Sequence, residues 1–123
     1  MAYHWNDSQP IYLQLADQIK DLILNEDVTT GEALPSVRQL AIDYQVNPIT
    51  VSKSYQILVD EDLITKKRGL GMFVSDHAKK ILHQQQRQEF IDHQWPQVLH
   101  KIAQLDIDID ALIESLEKTG RKP

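Results

Sequence analysis

The sequence predicts a mainly α-helical protein with one small β-hairpin, arranged as an N-terminal winged helix-turn-helix and a short two-helix C-terminal region. Two short amphipathic segments joined by a tight turn at residues 45–47 predict the helix-turn-helix. Two β-prone runs that flank a glycine-containing loop at residues 68–71 predict the wing. A glutamine- and histidine-rich helical pattern begins after Ser75, so the expected domains are residues 1–75 and 76–123.

The first two helices are predicted from apolar spacing and from the residues at their starts. One helix is expected from about Pro10 to Asn25. Its apolar residues recur at intervals of three and four, at Tyr12, Leu15, Ile19, Leu22 and Ile23. A second, shorter helix is expected from Ser36 to Tyr44. The Ser36 hydroxyl can accept from the backbone of Gln39 while the Gln39 side chain reaches back, which is the capping-box pattern.

The third predicted helix has two different faces. Asn47 is a good N-cap and Pro48 suits the first helical position, so the helix is expected from Pro48 to about Asp60. The face expected to be buried consists of Val51, Tyr55, Leu58 and Val59. The opposite face is largely polar and has no acidic residue; it consists of Ile49, Ser52, Lys53 and Gln56.

The predicted hairpin has a basic tip. Its strands are expected within residues 63–67 and 72–74, with Lys66, Lys67 and Arg68 next to the loop. Side chains alternate along a strand, so Lys66 and Lys67 are expected on opposite faces. Only one of these two lysines is therefore expected to contact a phosphate.

The C-terminal region is predicted to contain two helices with apolar stripes. Residues 78–104 show one long helical pattern, which Pro96 is expected to kink or interrupt. A last helix is expected after Asp108 or Asp110. The stripes could line an effector pocket, but they favour a dimer interface, because a lone chain would leave them exposed. The interface residues expected are Trp95, Val98, Leu99, Ile102, Leu112, Ile113 and Leu116.

The net charge of −5 and the pI near 5.4 count against nucleic-acid binding, but the distribution of charge is uneven. Residues 1–32 hold one basic and six acidic residues, whereas residues 33–75 hold five basic and four acidic residues. Residues 76–123 hold seven basic and eight acidic residues. Any contact with DNA is therefore expected in the middle segment.

The composition argues against several kinds of chemistry. The chain has no cysteine, which excludes disulfides, thiolate metal sites and a cysteine nucleophile. No two of the five histidines are four residues apart, and the aspartates at 106, 108 and 110 lack the glycine and glutamate of an EF-hand, so we expect no metal and no cofactor. No catalytic constellation emerges, so an enzyme is not expected. The polar N-terminus and the lack of a long apolar run predict a cytoplasmic protein with no signal peptide and no membrane contact.

The polar face of the third helix and the basic hairpin together indicate binding to double-stranded DNA. A helix of this size fits the major groove, where Ser52, Lys53 and Gln56 could reach base edges. Free backbone N–H groups at the start of the helix suit a phosphate. The hairpin could place Arg68 on an adjacent phosphate, and Gly69 permits close approach of the backbone.

The segments Gly31–Ala41, Val46–Tyr55 and Gly69–Val74 together carry a family resemblance, to the GntR family of transcriptional regulators. Gly31–Ala41 resembles the opening signature of the family, Val46–Tyr55 its recognition helix, and Gly69–Val74 the end of its wing. The resemblance covers about residues 10–75. The short remainder is similar to the tail of the YtrA-type subfamily, which serves mainly for dimerisation.

The resemblance implies a DNA-binding regulator, most simply a repressor, that binds a near-palindromic operator as a homodimer and responds to an effector of unknown identity, if it responds to one. It implies DNA contacts at Arg38, along the recognition helix and at the wing tip. Pro48 departs from relatives that place a base-reading arginine there, so their base preference is not transferred. Gln45 also departs from the glycine that many such turns contain. The expected DNA-binding residues are Ser36, Arg38, Asn47, Thr50, Ser52, Lys53, Gln56, Lys67, Arg68 and Gly69.

Other interpretations stay open from the sequence alone. Arg38 could pair with an acid such as Asp43, Asn47 could act only as a helix cap, and Thr50 could do no more than hold a phosphate. The acidic total charge is also compatible with a winged-helix module that binds protein, which would show no salt-dependent affinity for DNA. The sequence identifies neither the operator nor the sign of regulation.

Overall fold

A computed structural model describes residues 4–120 and shows a mainly helical chain with one two-stranded antiparallel hairpin, which confirms the predicted fold class. The elements in chain order are α1 (Ile11–Leu24), α2 (Val37–Tyr44), α3 (Pro48–Asp60), β1 (Ile64–Lys67), β2 (Gly71–Val74), α4 (Ala78–Glu89), a π-helical segment (Phe90–Gln94), α5 (Trp95–Gln104) and α6 (Ile109–Thr119). The chain divides into two compact units between Gln84 and Gln85.

The first unit is built around one hydrophobic core. Its main contributors are the apolar faces of α1 and α3 together with residues next to and within the hairpin: Leu15, Ile19, Ile23, Val51, Tyr55, Leu58, Leu63, Ile64 and Val74. Ala78 and Leu82 of α4 are also fully buried in this core. The unit consequently includes the first part of α4 and extends beyond the predicted boundary at residue 75.

Side-chain hydrogen bonds fix the starts of α2 and α3. Ser36 Oγ accepts from the backbone N–H of Gln39 at 3.0 Å, as predicted. The Gln39 side chain does not complete the predicted capping box, because its Nε2 donates to Asp43 Oδ1 at 2.8 Å. Asn47 Oδ1 accepts from the backbone N–H of Ile49 at 2.8 Å and so caps α3 as predicted.

The turn between α2 and α3 depends on one residue with a left-handed backbone. Gln45 has φ 55° and ψ 50°, a conformation that glycine adopts with less strain than any residue with a Cβ atom. Its backbone N–H contacts the carbonyls of Ala41 and Ile42, which closes the last turn of α2. The fold thus tolerates the departure from glycine noted in the sequence.

Replacing Gln45 with glycine is expected to raise the free energy of unfolding by about 0.5–1 kcal/mol. Left-handed backbone costs a residue with a Cβ atom about 1–2 kcal/mol, and the greater freedom of glycine in the unfolded chain offsets part of the gain. Urea denaturation of both proteins measures the difference. The same change at the exposed Gln39, inside right-handed α2, serves as the control and should lower stability by about 1 kcal/mol. An unchanged or lower stability of the Gln45 variant would refute the prediction.

The hairpin packs on a short extended segment between α1 and α2, for which the sequence predicted no strand. Strand β1 pairs with β2 in a register that places Ile64 opposite Val74. Ala33 forms an isolated bridge with Phe73, and the backbone N–H of Leu34 donates to Met72 O at 2.8 Å. The segment that leads into α2 is therefore held against the wing.

The second unit has no buried side chain in α5 or α6. The helical pattern is interrupted just before Pro96, as predicted. Proline has no N–H and its ring crowds the preceding turn, and the π-helical segment widens the helix at this point: the Trp95 N–H contacts Phe90 O, five residues back. Asp108 Oδ1 accepts from the Asp110 N–H at 3.1 Å, so the last helix begins after Asp108.

The described helices lie between residue 11 and residue 119. None of them combines the length and the apolar character needed to cross a membrane.

Candidate nucleic-acid interface

The outer face of α3 is exposed and polar over most of its length. Ser52, Lys53 and Gln56 are all exposed, as the spacing predicts. The Gln56 side-chain Nε2 donates to Asp60 Oδ1 at 2.8 Å, so the amide is oriented along the helix axis. The opposite face supplies the buried Val51, Tyr55 and Leu58 to the core.

Lys53 is placed over an aromatic ring of α1. Its Nζ lies 5.6 Å from the centroid of the Tyr12 ring, within the range of a cation–π interaction. Fully buried Ser54 fixes the two helices at this point, because its Oγ donates to Tyr12 O at 2.7 Å. The sequence assigned Tyr12 only to the apolar stripe of α1. No local pattern reveals its contact with Lys53, which arises from packing of α1 on α3.

Asn47 is the N-cap of α3, and Thr50 lies in its first turn. The Asn47 side-chain oxygen accepts the cap bond from Ile49, so Asn47 acts as a helix cap, while the residue itself is exposed. Thr50 is half-buried, and its backbone carbonyl accepts from Ser54 Oγ at 3.1 Å. Asn47 therefore has a structural role as a cap, whereas Thr50 contributes only its backbone carbonyl, and DNA contact at either stays a prediction.

The N-terminal end of α2 presents Ser36 and Arg38 to solvent. Among the described residues Arg38 forms no ion pair with Asp43, whose Oδ1 accepts from Gln39 Nε2 at 2.8 Å. Within residues 4–120, no ion pair involves Arg38. Its guanidinium is thus available for a partner outside the chain.

The wing presents Lys67, Arg68 and Gly69, all of them exposed. The Lys67 Nζ lies 4.5 Å from the centroid of the Phe73 ring on the neighbouring strand. The backbone N–H of Leu70 donates to Lys67 O at 2.9 Å and closes the turn, in which Gly69 has φ 77°. A positive φ at this position suits glycine and explains why it stands at the tip.

A cleft of about 630 Å³ separates α3 from the wing. Five of the ten predicted DNA-binding residues line it, namely Ser36, Ser52, Gln56, Lys67 and Gly69. Lys66, which the sequence did not select, also lines it, and both charged residues of the lining are lysines. The other predicted residues lie outside its lining: Arg38, Asn47, Thr50, Lys53 and Arg68.

Tyr55 links α3, which lines this cleft, to the segment that precedes α2. Its hydroxyl donates to Pro35 O at 2.5 Å, just before the cap of α2. Burial raises the pKa of the Tyr55 phenol above its usual value of 10.0, so the hydroxyl stays a donor well into the alkaline range. The positions of Ser36 and of the outer face of α3 are consequently coupled through one buried side chain.

The arrangement of a capped recognition helix, a preceding short helix and a basic wing matches a known family. The sequence profile of the bacterial regulatory proteins of the gntR family matches residues 11–74, more than half of the chain. The chain belongs to the GntR family. This GntR protein accordingly has a DNA-binding winged helix, which agrees with the predicted resemblance.

Relatives cover both units of this GntR protein. It is 37% identical to the HTH-type transcriptional repressor YtrA of Bacillus subtilis over 111 residues, which are 90% of this chain and 79% of YtrA. A crystal structure of a GntR-family regulator from Bacteroides thetaiotaomicron covers 89% of this chain and is itself covered to 96%, with a TM-score of 0.71 and 32% identity.

A YtrA protein with a solved structure supports the predicted subfamily. The GntR-family transcription factor YtrA from Sulfolobus acidocaldarius matches 70% of this chain and 90% of its own, with a TM-score of 0.55 and 34% identity. The similarity to two YtrA proteins confirms the resemblance to the YtrA type. The family and these relatives are transcription regulators, so the chain is a regulator and not an enzyme, as predicted.

Proposed function

We propose that this GntR regulator is a repressor that binds a near-palindromic operator as a homodimer. The observation that supports this most directly is the exposed, largely polar outer face of α3 beside a cleft whose charged lining residues are lysines. Polar groups on such a helix can contact base edges in the major groove, while cationic groups at its rim hold phosphates. The contacting residues proposed are the ten of the sequence prediction: Ser36, Arg38, Asn47, Thr50, Ser52, Lys53, Gln56, Lys67, Arg68 and Gly69.

The proposed dimer is supported by the exposure of apolar side chains in α5 and α6. Leu99 is 48%, Ile113 47% and Leu116 67% exposed. Several large apolar side chains exposed on the same short helices indicate an interface. A two-fold interface uses the same patch on both copies, and the patch proposed consists of Trp95, Val98, Leu99, Ile102, Leu112, Ile113 and Leu116.

The proposal of repression is based on the position that such a dimer would occupy on promoter DNA. Two recognition helices related by two-fold symmetry fit successive major grooves, about one helical turn of DNA apart. A dimer bound near a promoter would block access of RNA polymerase. The name of the Bacillus subtilis relative, a transcriptional repressor, supports this direction of regulation. A cytoplasmic location accords with this role.

Selection of binding sequences from random double-stranded DNA tests the proposal. Fluorescence anisotropy with the selected DNA is then measured across a salt series. The expected result is specific binding to a two-fold symmetric site. The logarithm of the binding constant should fall linearly with the logarithm of the salt concentration. Enrichment of no sequence and equal, weak binding to all DNA would overturn the proposal and favour the protein-binding module.

A further inference from the structure

Ile49 is an exposed apolar residue on an otherwise polar face. Its side chain is 64% exposed, and it takes no part in the core of the first unit. It lies on the same face of α3 as Ser52, Lys53 and Gln56, at helical spacing. A β-branched residue is a weaker helix former than alanine, so neither packing nor helix propensity explains an isoleucine here.

The place of Ile49 on the helix restricts what it can touch. It is the second residue of α3, directly after Pro48, and its backbone N–H is fixed by the 2.8 Å bond to the Asn47 side chain. In a helix-turn-helix the N-terminal residues of the second helix are those that contact base edges. The apolar group that a base edge presents in the major groove is the C5-methyl of thymine.

We propose that Ile49 determines operator specificity by an apolar contact with the C5-methyl group of one thymine in each half-site. The inference rests on the proposed function, because it requires α3 to lie in the major groove. The contact favours thymine over cytosine, which lacks the methyl group. The polar neighbours of Ile49 on the same face would hydrogen-bond to adjacent base edges. The apolar contact and the hydrogen bonds would therefore recognise different base pairs of the operator.

A protein partner would be expected to recognise a different surface. Interaction sites for proteins are contiguous apolar patches, whereas the neighbours of Ile49 at three, four and seven residues along α3 are a serine, a lysine and a glutamine. A single isoleucine among hydrogen-bonding groups matches the mixed apolar and polar pattern of a base-pair edge instead.

The experiment removes one methyl group at a time from the DNA. Each thymine of the selected operator is replaced by deoxyuridine, which lacks only the C5-methyl, and the affinity of the full-length protein is measured by anisotropy. In the wild type, one thymine per half-site is expected to show a decrease in affinity of about fourfold, the value of one buried methyl group. Ile49→Ala is expected to bind thymine and deoxyuridine equally at that position.

Ile42→Ala is the matched control. Ile42 is 63% exposed and lies on α2, so this variant removes the same side chain at nearly the same exposure from another helix. It is expected to retain the fourfold discrimination. Circular dichroism confirms that both variants are folded.

The outcomes separate the inference from the proposed function. Specific binding by the wild type with no methyl-sensitive thymine, or with a sensitivity that Ile49→Ala retains, overturns the role of Ile49 and leaves the regulator intact. Failure of the wild type to select any DNA overturns both.

Discussion

Replacing Leu99 with glutamate is expected to convert the protein from a dimer to a monomer. Leu99 is 48% exposed and shares a face of α5 with Trp95, Val98 and Ile102. If this face meets a second copy, a glutamate would bring an unpaired charge from each protomer into an apolar interface, which costs several kcal/mol. Light scattering coupled to size exclusion measures the change in mass.

The same variant is expected to bind a two-half-site operator at least about 100-fold more weakly than the wild type. In a dimer the second winged helix binds as an intramolecular event, and such linkage raises apparent affinity by about 10²–10⁴-fold. Binding to a single half-site should change little, because no residue of the DNA-binding unit is altered. Anisotropy with single and paired half-sites separates the two effects.

Gln97→Glu is the matched control for Leu99→Glu. It introduces the same carboxylate on α5, but Gln97 is exposed on the face opposite the apolar stripe. It is expected to stay dimeric and to bind DNA as the wild type does. A dimeric Leu99→Glu protein, or equally weakened binding in both variants, would contradict an interface on this face of α5.

Features that depend on local spacing were predictable from the sequence. The starts of α2 and α3 follow from Ser36 and Asn47, whose side chains form the expected caps. The buried stripe of α3 follows from periodicity, since burial of one helix face imposes a period of 3.6 on the residues. The hairpin follows instead from two β-prone runs that flank a glycine-containing loop. The exposure of Ser52, Lys53 and Gln56 on α3 follows from the same periodicity.

Features that depend on contacts distant in sequence were not predictable. The ring of Tyr12 beneath Lys53, the bridge between Ala33 and Phe73, and burial of Leu82 all require knowledge of how elements pack. The half-formed capping box has a more local cause: the Gln39 amide can reach either the chain before the helix or an acid one turn later, and here it bonds to Asp43. Sequence spacing alone does not rank these two alternatives.

Replacing Arg38 with alanine is expected to lower affinity for the selected operator by at least about tenfold at moderate salt. A charge-assisted hydrogen bond from a guanidinium to a phosphate contributes about 1.5–3 kcal/mol, and in a dimer the variant would lack this bond in each half-site. The slope of the logarithm of the binding constant against the logarithm of the salt concentration should decrease in magnitude by about one for each phosphate that the protein no longer neutralises. Folding should be unaffected, because Arg38 is exposed and alanine is a better helix former than arginine.

Two further variants identify what Arg38 contributes. Arg38→Lys keeps the charge but removes the planar fork of donors, so an intermediate affinity with a nearly unchanged salt dependence would indicate bidentate contact. Lys79→Ala removes one positive charge from α4, where Lys79 pairs with Glu26 at 2.6 Å, and is expected to bind as the wild type does. If Arg38→Ala behaved like Lys79→Ala, Arg38 would be an ordinary surface residue. The DNA-binding surface would then consist of α3 and the wing without the N-terminal end of α2.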